Sequence, residues 1–365
     1  MIQSLEVIPL FIPSESSFYT GAREFKGREF TIVKIFTDEG IMGIGCVPVG
    51  DPLAISAIIE RKLKQLIIGE DPFKVKKIWN RMYEEIYKDR TGVALKAISA
   101  IDIALWDIIG KSLREPVSKL LGTYRDNVLC YVTGGYYQEN KGIKELVHEV
   151  EDYIDKGFKA IKLKVGKLSI EEDKERVKSV RKAIGNDIKL AVDANHAYTV
   201  HEAIKAGKAF DEYDIWWFEE PVRPDNIRGN AAVVRDLDMP IATGEIVYTI
   251  KKFRNLIENE AVDIIQPDVT VVGGISEWMK IAHMASAWNI PVIPHWSQEI
   301  SVHLVAAVPH ALAIEFFTRK PNYRLEDKLY KNFFEPSKGY LGVPSKPGIG
   351  IELDEEAVNR FRIKD

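Results

Sequence analysis

The chain has 365 residues, a length that suggests two domains, and its 46% hydrophobic content is that of a globular protein with a large core. Its net charge of −4 argues against nucleic acid as a partner, and no apolar run approaches the roughly 18 residues of a membrane span. Two cysteines, Cys46 and Cys130, without metal-binding spacing indicate a reduced, cytoplasmic protein.

The first fifty residues predict β-structure, with apolar runs at Leu5–Ile12, Phe30–Phe36 and Ile41–Cys46. A hairpin turn is expected at residues 38–40, where Asp-Glu-Gly separates two of these runs. The polar segment from Ser14 to Arg28 contains Tyr19 and Arg23 and is predicted to be a mobile loop.

The apolar residues that follow in the chain have helical periodicity. The predicted helices cover Ala54–Ile68, Val75–Tyr87 and Val93–Lys111. The third is apolar nearly all round and should be buried. Residues 1–125 are therefore expected to form an α+β domain.

The pattern then changes to short apolar runs that alternate with amphipathic stretches, such as Ile170–Ile184, that predict helices. The runs are Val128–Val132, Ala160–Val165, Ile188–Val192, Ile215–Phe218, Pro240–Ala242, Val262–Gln266, Ile290–Ile293 and Leu312–Phe316. Eight strands alternating with helices predict a (β/α) barrel over residues 126–322. The Pro- and Gly-rich tail, residues 323–365, is expected to pack back on the first domain.

Catalytic groups of such barrels lie at the carboxyl ends of the strands. The residues found there are Lys162, Lys164, Asp193, Asn195, Glu219, Glu245, Asp268, His295 and Glu315. We expect these side chains to converge on one site.

Three of these acids are evenly spaced. Asp193, Glu219 and Glu245 stand 26 positions apart, which places them on three neighbouring strands. A single acid at a strand end is commonly a helix cap, but three adjacent carboxylates repel one another unless a cation joins them. An all-carboxylate ligand set favours Mg²⁺.

A divalent cation bound to a substrate carboxylate would stabilise the enediolate into which that carboxylate is converted when the neighbouring C–H proton leaves. Lys164 is the expected base, with its pKa lowered by Lys162, which would face the substrate carboxylate. His295, supported by Asp268, is the expected second acid/base group. Glu315, if protonated, could donate a hydrogen bond to the enediolate.

For residues next to these candidates, the sequence predicts structural roles. Glu220 should point to the strand face opposite Glu219, and His196 should be an ordinary loop histidine. Trp296 is expected to pack in the interior and not to serve as a stacking platform.

Together these residues resemble the enolase superfamily, in particular its mandelate racemase subgroup and that subgroup's acid-sugar dehydratases. The motifs are AIDIALWDIIGK (100–111), KLKVG (162–166), VDAN (192–195), WFEEP (217–221), ATGE (242–245), QPDVTVVGG (266–274), PH (294–295) and IEF (314–316). The resemblance implies an α/β fold, a modified (β/α)₇β TIM-type barrel with an α+β capping domain to which the C-terminal tail contributes.

The same resemblance implies the site roles. Mg²⁺ would bind Asp193, Glu219 and Glu245, and Lys164 and the His295–Asp268 pair would be catalytic. Lys162 and Glu315 would contact the substrate carboxylate, and Asn195 a substrate hydroxyl. Family members are mostly homo-oligomers.

The favoured reaction is Mg²⁺-dependent dehydration of a sugar acid to a 2-keto-3-deoxy acid, which makes the protein a lyase. The alternative is an isomerase, a racemase or epimerase working by 1,1-proton transfer. A non-catalytic metal-binding barrel is a remote alternative, and a phosphate-handling barrel lacks its glycine-rich loop. Tyr19 and Arg23 are predicted to contact the far end of the substrate, which for Arg23 would be a second carboxylate.

Overall fold

The computed structural model describes residues 1–319 and 323–364, with residues 15 and 16 described by their backbone alone. A three-stranded antiparallel sheet comes first, in the order β1 (Ile2–Tyr19), β2 (Glu24–Thr37) and β3 (Met42–Val47). The hairpin turn between β2 and β3 lies where the sequence predicted it, and Gly40 adopts a φ of 75° there.

The predicted loop from Ser14 to Arg28 is wrong for most of its length. β1 extends through Tyr19 and β2 begins at Glu24, so that only residues 20–23 form a turn. Tyr19 N–H donates to the Tyr137 carbonyl at 2.9 Å, and Tyr137 N–H returns the bond at 3.0 Å. The extended conformation is therefore stabilised by a partner far away in the sequence, which the polar composition does not reveal.

Five α-helices follow, three of them short. They are α1 (Pro52–Ile58), α2 (Lys64–Ile67), α3 (Val75–Glu85), α4 (Gly92–Leu113) and α5 (Val117–Leu121), with a π-helical segment between α1 and α2. Most of α4 is buried, as its apolar sequence predicted. Among the helices of residues 1–319 and 323–364, none has the length and hydropathy of a membrane span.

The second part of the chain forms a curled parallel sheet. Its strands are β4 (Asn127–Gly134), β5 (Ala160–Lys164), β6 (Lys189–Asp193), β7 (Ile215–Glu219), β8 (Ile241–Thr243), β9 (Ile264–Ile265) and β10 (Ile314–Phe316). β4 to β9 pair in chain order, and β10 pairs in parallel with β4. The seventh predicted strand, Ile290–Ile293, is reduced to parallel bridges from Val292 to Ile265 and Ala311, which close the ring.

Helices connect these strands on the outside of the ring. They are α6 (Ile143–Asp155), α7 (Ile170–Ile184), α8 (Val200–Phe210), α9 (Ile227–Asp236), α10 (Thr249–Glu258), α11 (Ile275–Ser286) and α12 (Gln298–Ala307). The alternation confirms the predicted α/β barrel with a separate antiparallel capping sheet.

The tail contacts both parts of the chain. β11 (Tyr340–Gly342) pairs antiparallel with β4, and α13 (Glu355–Phe361) comes near the C-terminus. Glu355 of α13 forms an ion pair with Lys34 of β2 at 2.6 Å. Ile363 N–H donates to the Pro9 carbonyl of β1 at 2.9 Å.

Capping helices hold the loop that follows β9. Trp79 Nε1 donates to the Gly273 carbonyl at 2.7 Å, and the Ser99 hydroxyl accepts from Gly273 N–H at 2.9 Å. Asp102 of α4 accepts from Ser276 N–H at 2.9 Å through Oδ2, while its buried Oδ1 has no partner in the described part of the chain. These bonds fix the position of the loop that begins with Asp268.

Asp102 should make stability depend on pH. Burial raises its pKa from 3.8 to about 7, so the folded protein binds this proton more tightly than the unfolded chain does. The contribution of this proton to the free energy of unfolding is therefore complete below about pH 4 and is lost as pH rises through 7. We expect the free energy of unfolding, measured in urea at pH 4.5 to 8, to fall with pH by less in Asp102→Asn than in the wild type. Equal pH slopes would contradict this assignment.

Candidate active site

The interior of the barrel changes from apolar to charged along each strand. Ala160, Ala191, Trp217 and Ala313 belong to a buried cluster with contributions from all round the ring. Because side chains two positions apart share a strand face, the next inward residues are Lys162, Asp193, Glu219 and Glu315. The strand alternation of the sequence therefore places these charges in the barrel centre, at its carboxyl end. The structure brings all four of them together.

Lys162 is the centre of this charged layer. Its Nζ lies 2.9 Å from Glu315 Oε1 and 3.5 Å from Asp193 Oδ2, and it also donates to Glu219. Burial lowers the pKa of Lys162, but Glu219 and Glu315 outweigh it and raise the pKa well above the usual value. Lys162 is thus a permanent cation whose partners are already on the protein.

Lys164 is also buried and paired. Its Nζ lies 2.5 Å from Asp193 Oδ2 and 3.0 Å from Asn195 Oδ1. Burial and Lys162 lower its pKa, but Asp193, Tyr136 and Glu219 together raise it by more, so the net shift is upward. The lowering predicted from Lys162 is therefore present, but the lysine also has a counter-ion of its own, Asp193, which contributes to the net rise.

His295 and Asp268 form the predicted pair. Nδ1 of His295 lies 2.7 Å from Asp268 Oδ2, and Oδ1 of that aspartate accepts from the Thr270 N–H and hydroxyl, both at 2.7 Å. The other ring nitrogen lies 3.2 Å from Glu245 Oε2. Burial lowers the pKa of His295, but Glu245, Asp268 and Glu315 raise it to about 10. The imidazole is therefore protonated at neutral pH.

Glu315 is surrounded by hydrogen-bond donors and cations. It accepts from the Thr133 hydroxyl at 2.6 Å and from Trp296 N–H at 2.9 Å. Burial raises its pKa, but Lys162, His295 and Lys164 lower it to about 2. Glu315 is an ionised acceptor here, so its surroundings do not support the role of a hydrogen-bond donor.

The three acids predicted to bind Mg²⁺ have hard oxygen donors in a crowded, negatively charged site. Glu219 accepts from Trp217 Nε1 at 3.0 Å and Gln266 Nε2 at 2.6 Å. Burial raises its pKa, Lys162 opposes this, and the charges of Asp193, Glu315 and Glu245 help to raise it to about 7. A divalent cation would relieve this repulsion, so the donor chemistry fits Mg²⁺. In the described part of the chain the ligand atoms of these three acids do not converge within 4.8 Å of one another, whereas those of Glu245, His196 and Glu220 do.

His196 and Glu220 are the residues that the sequence analysis missed. Glu220 has a φ of +42°, which breaks the strand alternation directly after β7, and its Oε2 lies 2.9 Å from His196 Nε2. With Glu245 they place three potential ligand atoms within 4.8 Å of one another. Pro221 was the available signal, because a proline after Glu220 predicts that the strand has already ended.

In the described structure, neither Tyr19 nor Arg23 contacts Lys162, Lys164 or His295. The Tyr19 hydroxyl donates to Glu24 at 3.2 Å, and Arg23 is exposed. The turn at residues 20–23 nevertheless covers the barrel: a Cβ on Gly21 would lie 2.6 Å from the Ala194 carbonyl oxygen. The capping domain therefore reaches the carboxyl end of β6.

Comparison with known proteins identifies this architecture. Residues 9–122 match the mandelate racemase / muconate lactonizing enzyme N-terminal domain, and residues 145–357 match the enolase C-terminal domain-like family. The chain belongs to the mandelate racemase / muconate lactonizing enzyme family of the enolase superfamily, as the motifs indicated.

Individual relatives agree over the whole length. Arabinonate dehydratase of Saccharolobus solfataricus is 40% identical over 342 residues, covering 92% of this chain and 91% of the relative. A 3,6-anhydro-alpha-L-galactonate cycloisomerase of Streptomyces coelicolor is 34% identical over 341 residues, covering 92% of each chain. A racemase from Streptomyces coelicolor A3(2), solved with bound magnesium, superposes with a TM-score of 0.93 at 31% identity over 100% of both chains. These relatives confirm the prediction of an enzyme of the lyase class with an isomerase alternative.

Proposed function

We propose that this protein is a Mg²⁺-dependent dehydratase that converts a sugar acid to a 2-keto-3-deoxy acid. The proposal rests on two proton-transfer groups at the carboxyl end of the barrel, Lys164 and His295. In the order of the strands around the barrel, one of them lies on each side of the adjacent strands β4 and β10. The 40% identity with an arabinonate dehydratase favours dehydration over other reactions of the family. A homo-oligomer in the cytoplasm remains a prediction.

Asp193, Glu219 and Glu245 would hold the cation. Bound Mg²⁺ would bind the substrate carboxylate and stabilise the negative charge that develops on it when the α-proton leaves. Lys162 would add its permanent charge next to the same carboxylate, and Asn195 would contact a substrate hydroxyl.

Two residues would carry out the proton transfers. Lys164 must be neutral to take the proton from C2. Sharing the charge of Asp193 with a cation would remove the main cause that raises its pKa, while burial and Lys162 continue to lower it. In the acid role, a protonated His295, held at Nδ1 by Asp268, would donate from Nε2 to the hydroxyl that leaves C3 as water. The resulting enol then tautomerises to the 2-keto acid.

A second candidate is proton transfer without loss of water. The same two groups could remove and return the C2 proton from opposite sides, and the related cycloisomerase and racemase support this alternative. In this reaction His295 would have to act as a base. A cation on Glu245 would weaken the largest charge effect that raises the pKa of His295, so both roles are open to the imidazole, and the preference for dehydration rests on the relatives.

The distinction can be measured directly. The purified protein with Mg²⁺ is incubated with four-, five- and six-carbon aldonic and aldaric acids, and 2-keto acids are assayed with semicarbazide. We expect a 2-keto acid from at least one of them. Exchange of the α-proton in D₂O without any keto product would replace the dehydratase proposal with the racemase or epimerase alternative.

A further inference from the structure

His196, Glu220 and Glu245 form a second group of potential metal ligands at the rim of the barrel. They follow the neighbouring strands β6, β7 and β8, and one donor atom of each lies within 4.8 Å of the other two. This group, which we call the histidine site, shares Glu245 with the predicted Mg²⁺ set and differs from it in the other two residues.

Backbone hydrogen bonds hold two residues of the histidine site in place. His196 N–H donates to the Glu220 carbonyl at 2.8 Å, and Glu220 N–H donates to the Ala242 carbonyl of β8 at 2.9 Å. The ends of three neighbouring strands are therefore joined to one another at this point. Ligands on such a rigid framework need little reorganisation to bind an ion.

Two polar atoms of the histidine site are buried without a hydrogen-bond partner. Glu220 is fully buried (0% exposed), and its Oε1 has no donor in the described part of the chain. Nδ1 of His196 is also inaccessible to solvent and has no partner among the described residues. Burial of a carboxylate oxygen without a partner is unfavourable, and a bound cation would supply that partner.

The donor types of the histidine site favour a transition ion over Mg²⁺. Mg²⁺ takes hard oxygen ligands, whereas an imidazole nitrogen with two carboxylates suits Zn²⁺. With bonds of about 2.0 Å, the ligand atoms around a tetrahedral Zn²⁺ are about 3.3 Å apart. The 2.9 Å between Glu220 Oε2 and His196 Nε2 is close to this value, and Glu245 lies within 4.8 Å of both.

Glu245 cannot serve both ligand sets in the observed conformation. Its carboxylate lies near His196 and Glu220, whereas the ligand atoms of Asp193, Glu219 and Glu245 do not converge within 4.8 Å in the described part of the chain. Binding of Mg²⁺ to the predicted set therefore requires a movement of Glu245 towards Asp193 and Glu219. An ion in the histidine site would select the observed conformation and oppose that movement.

We propose that His196, Glu220 and Glu245 bind Zn²⁺ in competition with Mg²⁺ and so form an inhibitory metal site beside the catalytic one. The competition rests on the proposed function, in which Glu245 is a Mg²⁺ ligand, whereas Zn²⁺ binding by itself does not. With Zn²⁺ in the histidine site, the catalytic cation would lack one of its three carboxylates. Co²⁺, which takes similar ligands, serves as a spectroscopic probe of the same site.

The test measures Zn²⁺ binding to the metal-free protein by calorimetry, at several fixed Mg²⁺ concentrations, and Co²⁺ binding by its visible absorption. His196→Asn removes the imidazole, and Glu220→Gln replaces the carboxylate by an amide of nearly the same shape. His201→Asn is the matched control, because His201 is an exposed histidine on α8 of the kind that binds Zn²⁺ adventitiously. Glu219→Gln removes a predicted Mg²⁺ ligand that is not part of the histidine site.

We expect His196→Asn and Glu220→Gln each to weaken Zn²⁺ binding by at least about 10²-fold, because each removes a ligand and the loss of a supporting residue alone costs up to about that factor. The Co²⁺ spectrum should lose intensity in the same two variants. His201→Asn should bind Zn²⁺ as the wild type does. In the wild type the apparent Kd for Zn²⁺ should rise with the Mg²⁺ concentration, and in Glu219→Gln Zn²⁺ should still bind but with a weaker dependence on Mg²⁺.

Two outcomes would overturn the inference. Zn²⁺ binding of wild-type strength in folded His196→Asn or Glu220→Gln would show that the ion binds elsewhere. Zn²⁺ binding that is independent of Mg²⁺, in a protein whose Tm rises with Mg²⁺, would refute the competition for Glu245. None of these measurements needs turnover, so an absence of 2-keto acid formation would refute the proposed function and not the histidine site. Thermal unfolding of each metal-free variant verifies that it is folded.

Discussion

Replacement of His295 by asparagine should lower the rate of 2-keto acid formation by about 10³-fold, while exchange of the C2 proton through Lys164 persists. Asparagine can still donate a hydrogen bond to Asp268, but it carries no transferable proton for the leaving hydroxyl. The two reactions are measured on the same sample, product by keto-acid assay and exchange by proton resonance in D₂O. Lys164→Met should abolish both exchange and product formation for an acid whose C2 proton faces Lys164, because dehydration also begins with the loss of that proton.

The matched control is His310→Asn. His310 is a partly buried histidine that contacts the Ala282 carbonyl oxygen at 2.9 Å and lies outside the site. Its replacement should leave both rates unchanged. Equal loss of exchange and product formation in His295→Asn would show that the two steps cannot be separated, which would contradict the division of roles between Lys164 and His295. Unchanged product formation would exclude His295 as the acid.

The second large effect concerns two adjacent glutamates. Glu219→Gln should raise the Mg²⁺ concentration for half-maximal activity by at least about 10²-fold, because it removes a metal ligand. Replacement of residues that only hydrogen-bond to metal ligands already lowers metal affinity by up to about 10²-fold. Glu220→Gln makes the same carboxyl-to-amide change one residue away but leaves the predicted ligand set intact. We expect the Mg²⁺ requirement of this variant to change by less than about tenfold.

Thermal unfolding with and without Mg²⁺ gives an independent measurement. A cation that binds only the folded protein raises Tm in proportion to its binding free energy, so the Mg²⁺-induced rise should vanish in Glu219→Gln and persist in Glu220→Gln. The reverse result would assign the metal to His196, Glu220 and Glu245, whose ligand atoms lie within 4.8 Å of one another. It would also refute the predicted set of Asp193, Glu219 and Glu245.

Much of the barrel could be predicted from local patterns. The strand predicted at Ala160–Val165 is observed at Ala160–Lys164, and the predicted Ile170–Ile184 is the observed extent of α7. Both depend on a period of two or 3.6 in the side chains, which the sequence carries directly. The run at Ile290–Ile293 has a similar composition but forms only single bridges, because pairing requires neighbouring backbones that no local pattern reports.

The candidate site was predictable for a related reason. Barrel topology puts every strand end at one rim, so evenly spaced acids and a Lys-x-Lys strand had to converge. The hydrogen-bonded pair of His295 and Asp268, 27 residues apart in the chain, agrees with that inference. The alternation argument failed for Glu220 because its φ of +42° lies outside strand geometry.

The sequence by itself determined which residue types meet at the rim, because strand alternation and the repeat of β/α units are local properties. Tertiary structure alone decided their charge states. Lys164 pairs with Asp193 and keeps its proton, and Glu315 is ionised, since a pKa in a buried site depends on every charge nearby and not on sequence neighbours. It also decided that Arg28, from a segment expected to be a loop, lies against Trp296, because contacts between domains depend on how two separate cores pack.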